Sequence, residues 1–115
     1  MSTVTKMIDK SVSPIETDLD GWVKHAGNPT MKTWIEYKSA DERTLSGCWE
    51  ATPGTYHATY AAWEFVHIIS GKAIVTPEGG EPITLTAGEA MLFEKDFIGT
   101  WEIQETVLKH FVLNL

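Results

Sequence analysis

The chain has 115 residues, one cysteine, and 16 acidic against nine Lys and Arg side chains, a formal net charge of −7. That length suits one compact domain, the lone Cys48 excludes an intrachain disulfide or a cysteine-built zinc site, and an acidic balance with no basic cluster argues against a nucleic-acid partner. No apolar run nears the roughly 20 residues that span a bilayer, and the opening MSTVTKMIDKSVSP lacks a secretory apolar core, so no membrane partner and a cytoplasmic location are expected.

Residues 1–30 scatter Pro14, Gly21, Gly27 and Pro29 among polar side chains, which reads as an irregular arm packed on the domain, with Trp22 of LDGWVKH tucked against the body. From residue 31 to residue 115 the rhythm is that of one all-β domain. Short runs rich in Val, Ile, Thr and aromatic residues, separated by Gly, Pro, Asp and Glu, predict strands at 33–38, 44–51, 55–60, 64–70, 72–77, 82–86, 90–94, 97–104 and 106–114. EGGEP at 78–82 predicts a hairpin turn, and no stretch offers a convincing amphipathic helix.

Within this pattern YAAWEFVHIISG, residues 60–71, places one carboxylate, Glu64, at the head of an apolar run. Either Glu64 lies at a strand end in water, or it points into a cavity. Strand parity groups it with Val66 and Ile68 on one face and sends Phe65, His67 and Ile69 to the other.

PGTYHATYAAWEFVHIISG (53–71), followed by AGEAMLFEKDFIGTWEI (87–103), resembles the two signature segments of the cupin superfamily. More narrowly, GCWEATPG, WEFVHIISGKAIVTPEGG and GTWEIQETVLKHFV are similar to the small single-domain cupins related to ureidoglycine aminohydrolase and the ethanolamine-utilisation cupin. The resemblance covers about residues 44–113 and implies a double-stranded β-helix, the jelly-roll, RmlC-like cupin barrel, and commonly a homodimer.

Cupins hold a divalent metal with two first-segment histidines, a glutamate and a second-segment histidine. Glu64 matches the glutamate, standing seven residues before Gly71. The histidine positions fall on Ala58 and Tyr60, or on His57 and Thr59 if the spacer is one residue longer, and the last falls on Gly99. Beside Trp101, Gly99 is expected to leave empty space. One carboxylate with a distant imidazole does not satisfy a borderline divalent ion, so no metal ligand and no cofactor are expected.

A buried Glu64 needs a cation, for which Lys109 is the candidate, unless that lysine snorkels to solvent. Trp49 and Trp101 are expected to line the barrel, and the Tyr60 phenol to donate a hydrogen bond. His25, His67 and His110 read as isolated imidazoles, and Cys48 faces away from the pocket. The expected function is binding of a small polar metabolite by Trp49, Tyr60, Glu64, Trp101 and Lys109 without a tightly bound metal. The alternative is a small-molecule hydrolase, lyase or isomerase with Glu64 as general acid/base, with or without a weakly held divalent ion.

Overall fold

The protein is described from a computed structural model over residues 3–7 and 12–115. Eight strands carry it: β1 (Trp22–Ala26), β2 (Met31–Lys38), β3 (Thr44–Ala51), β4 (Gly54–Thr59), β5 (Trp63–Pro77), β6 (Ile83–Thr86), β7 (Ala90–Phe93) and β8 (Ile98–Asn114), with no helix among the described residues. The alternation in the sequence is the reason. In β5, Glu64, Val66 and Ile68 are buried while Phe65 is exposed and His67 half-buried, as a period of two requires.

β5 and β8 run antiparallel along one another and hold the barrel together. The first half of β8 lies between β4 and the second half of β5, and β1 and β6 extend this layer on either side. The second half of β8 lies between β3 and the first half of β5, with β2 and β7 outside them. Two layers thus share two bent strands and close over a common core, which makes the fold an all-β jelly roll.

The bend explains two departures from the expected strand list. Residues 64–70 and 72–77 belong to one strand, and so do 97–104 and 106–114. Register shifts at Ile68–Ala73 let β5 turn without ending. Gly71 sits there with φ +93°, and a Cβ at that position would collide with the Thr106 carbonyl oxygen.

The arm also departs from expectation, because Trp22–Ala26 is a strand paired with β4 and is not irregular. Only its first residue is even partly buried, so the period-two signal of a half-buried strand is missing. A turn launches it. The Trp22 N–H donates to the Leu19 carbonyl at 3.0 Å, and Gly21 supplies the positive φ that turn needs. The Tyr56 hydroxyl then donates to Asp18 at 2.7 Å, and Lys24 forms an ion pair with the same carboxylate.

The inner layer is aromatic. Trp49, Trp101, Tyr56, Tyr60, Phe93 and Phe111 are all buried, and Trp22 and Phe97 pack against them.

Candidate functional site

Glu64, Val66 and Ile68 face inward from β5 opposite Leu113, Phe111 and Lys109 of β8. Lys109 therefore starts two inward positions away from Glu64 and must run along the inner surface to reach it. It does so, with Nζ donating to Glu64 Oε2 at 3.2 Å. The lysine does not snorkel. Its side chain is 1% exposed and that of Glu64 7%. Three indoles enclose the ammonium, with ring centres 4.4 Å (Trp49), 4.5 Å (Trp101) and 5.7 Å (Trp22) from Nζ. The negative faces of the rings compensate part of the lost hydration.

Burial pushes the Lys109 ammonium below its ordinary titration range, and the Glu64 charge opposes that push. Tyr60 moves the other way. Burial first, and the neighbouring Glu64 charge second, hold its phenol well above 10, so the hydroxyl remains a donor. Tyr60 is clamped by its backbone, with its N–H on the Phe97 carbonyl at 2.8 Å and its carbonyl receiving the Asp96 N–H at 3.0 Å. The Tyr60 hydroxyl, Glu64 Oε1 and Trp101 Nε1 are shut from water with no well-formed hydrogen bond among them. Glu64 and Trp101 nonetheless both act on the Tyr60 phenol, which puts the three groups around one another. Such unmet polar capacity in a core is costly.

A cavity of about 590 Å³ opens beside this cluster, bounded by the inner faces of β2, β3 and β8, the turn at 17–22 and the link at 59–62. Of the expected site residues, Trp49, Tyr60, Glu64 and Lys109 line it. Trp101 does not. It is fully buried behind the ammonium, and acts on the cavity through Lys109. Trp22, Thr33 and Phe111 also line the space, and Thr33 contributes a buried hydroxyl without a partner. Thr33 was legible only through pairing, since its place opposite Trp49 follows from the β2–β3 register.

The remaining expected positions resolve as follows. Tyr56, Ala58 and Tyr60 face the core, so the shorter spacer is the correct one, and His57 pairs with Thr100 on the other side of β4. No empty space lies at Gly99. A Cβ there would run into the Thr76 carbonyl and the Phe97 ring, so Phe97 fills the place expected to be free. Cys48 is buried on the opposite face from the cavity, its thiol 3.2 Å from a Glu36 carboxylate oxygen. His67 and His110 stack on the outer face with ring centres 6.4 Å apart.

The donor set does not fit a divalent metal. A methyl, a phenol and a glycine stand where histidines would be needed, and an ammonium already neutralises the carboxylate. Among the described residues no three His, Cys, Asp or Glu side chains converge.

A closed antiparallel jelly roll, with its inward glutamate seven residues before the glycine of the bend, defines a cupin barrel. The chain belongs to the EutQ-like cupin domain family, whose sequence profile matches residues 38–111. Solved structures agree on the fold. The Clostridium difficile EutQ protein is 17% identical, superposing with a TM-score of 0.66 over 75% of this chain and 68% of its own. A protein of unknown function from Pseudomonas syringae is 14% identical with a TM-score of 0.72; it matches 92% of this chain, which spans only 46% of that longer protein. A Thermotoga maritima protein is 30% identical, with a TM-score of 0.54 over 56% of this chain and 73% of its own. No curated protein matches the chain.

Proposed function

We propose that the chain binds a small polar organic molecule in the barrel cavity without a tightly bound metal. The observation that carries this reading is the cavity of about 590 Å³ beside a buried Glu64–Lys109 pair and an unpartnered Tyr60 hydroxyl. Pockets of this kind combine apolar walls, here Trp22, Trp49 and Phe111, with a few polar groups that orient the occupant. Thr17, Asp18, Asp20 and Thr59 supply polar residues along the lining, while the Tyr60 hydroxyl, Glu64 Oε1 and the Thr33 hydroxyl lie closed beneath it. The narrower likeness to ureidoglycine aminohydrolase carries the fold into this reading and not the activity, because the ligand positions are Ala58, Tyr60 and Gly99.

A thermal-shift screen of small polar metabolites, paired with elemental analysis of the untagged protein, tests it. Saturable stabilisation by an organic compound, weakened in Tyr60→Phe, is the expected result. Stoichiometric metal that disappears in Glu64→Gln would overturn it.

The proximity of Glu64 to both an ammonium and a phenol favours a second reading, in which Glu64 serves as general acid/base for hydrolysis, elimination or isomerisation. Unchanged turnover of an identified substrate by Glu64→Gln would eliminate it.

A further inference from the structure

On the side of the barrel where β6 and β7 form the edges of the two layers, the interior is open. A groove of about 410 Å³ lies there, bounded by β6, β7, the end of β5 and the turn at 94–97, and it shares no lining residue with the cavity described above. Its walls include side chains that strand parity sends inward. Ile83 stands opposite Val75 and Met91 opposite Val66, and both valines are buried. Ile83 is nevertheless 42% exposed and Met91 only half-buried. Apolar side chains on an inner face lose the benefit of burial unless something covers them.

The backbone offers a way to cover them. Among the described residues β6 and β7 hydrogen-bond to β5 alone, so each leaves one edge unpaired. A strand added to such an edge gains main-chain hydrogen bonds while every second side chain fills the groove. We propose that the groove docks an extended segment of a partner protein in which large apolar side chains alternate with lysine or arginine. The two edge strands have four residues each, roughly 13 Å of extended chain, which sets the length of the docked core at about four residues.

Charge selects the occupant. Glu94 and Asp96 line the groove against one cation, Lys95, and the turn that follows Pro77 adds Glu78 and Glu81. All four acids are exposed, and none forms a salt bridge among the described residues. A second copy docked through this face would bring the same carboxylates together, and an anionic bilayer would add phosphates to them, so like charge disfavours both. Basic side chains at the outward positions of a docked strand meet these acids instead.

The test follows fluorescence anisotropy of a labelled seven-residue peptide, alternating lysine with isoleucine, phenylalanine and valine, on titration with the full chain. Two comparison peptides replace the lysines by glutamate or the apolar residues by serine. The expected result is saturable binding of the first peptide, with affinity lower by about tenfold or more for either comparison. Ile83→Ser should weaken binding about tenfold and Glu94→Gln about threefold. Glu16→Gln removes the same charge beside Lys32 of β2, at the opposite edge of the second layer, and should leave binding unchanged. Ile83 and Glu94 are exposed, so the circular dichroism spectrum should not change in either variant. Failure to saturate below about 1 mM, equal affinity for the three peptides, or undiminished binding by Ile83→Ser overturns the proposal. An Ile83-dependent oligomeric mass or an Ile83-dependent attachment to phosphatidylserine vesicles, in place of peptide binding, also overturns it, by giving the groove to a second copy or to a bilayer.

Discussion

At the scale of single residues, the Glu64–Lys109 pair decides most of the chemistry and some of the stability. Breaking a buried ion pair leaves an uncompensated charge and typically costs about 3–5 kcal/mol, while replacing both partners by apolar groups is often close to neutral. Glu64→Leu should therefore lower the unfolding free energy by about 3 kcal/mol or more, and Glu64→Leu/Lys109→Met should regain most of it. Urea denaturation of the two singles and the double checks this, and simple additivity would show that the two residues do not act as a pair. Alkaline titration provides an independent reading. Lys109 titrates low when folded, so between its folded pKa and 10.5 the unfolded chain binds more protons and stability rises with pH. Tyr56 and Tyr60 titrate high when folded, so their contribution is full below 10 and is lost as pH climbs further. The urea midpoint should therefore climb gently toward pH 10 and fall beyond it. Tyr60→Phe should flatten the fall, and an unaltered fall would show that Tyr60 is not shut away from solvent. Parity placed Glu64 inward from the sequence, but its meeting with Lys109 depends on a cross-strand register that no local pattern encodes.

At the scale of elements, the two long strands depend on being able to bend. Gly71 combines a positive φ with backbone on the side where a Cβ would project, whereas Gly79 has a similar φ and open space. Gly79→Ala should cost about 1 kcal/mol for the left-handed conformation alone. Gly71→Ala should cost about 2–4 kcal/mol, because the collision with Thr106 adds to it. Equal losses in chemical denaturation would refute the close approach. The same glycine shows why the strand list was legible and strand continuity was not. Gly71 and the exposed residues near Glu105 look like strand ends in sequence, since an end and a kink use the same residues. β1 was hidden for a different reason, as an edge strand whose outward residues carry no alternation. Its Trp22 was nevertheless expected to pack on the body, and it does, with Trp49 at 5.2 Å and Tyr60 at 5.8 Å between ring centres.

At the scale of the whole molecule, the outer surface of the second layer carries exposed apolar side chains. Phe65 of β5 pairs with Leu92 of β7 on one side and with Val112 of β8 on the other, so the three project from the same face. Phe65 remains 39% exposed and Leu92 50%. The His67–His110 stack lies further along the same face, with the His110 Nε2 already shut from water. A patch with large apolar residues at its centre is the kind of surface that pairs with a second copy of itself around a two-fold axis. We propose that the homodimer expected of a cupin forms here, which leaves the cavity on the inner face of the layer unobstructed. Light scattering coupled to gel filtration should give the mass of two chains for the wild type. Phe65→Lys should halve it with the circular dichroism spectrum unchanged, because a lysine at an already exposed position places its charge in the interface without disturbing the core. A wild-type mass of one chain at tens of micromolar would rule the dimer out, and a two-chain mass unaffected by Phe65→Lys or Leu92→Lys would move the interface to another face.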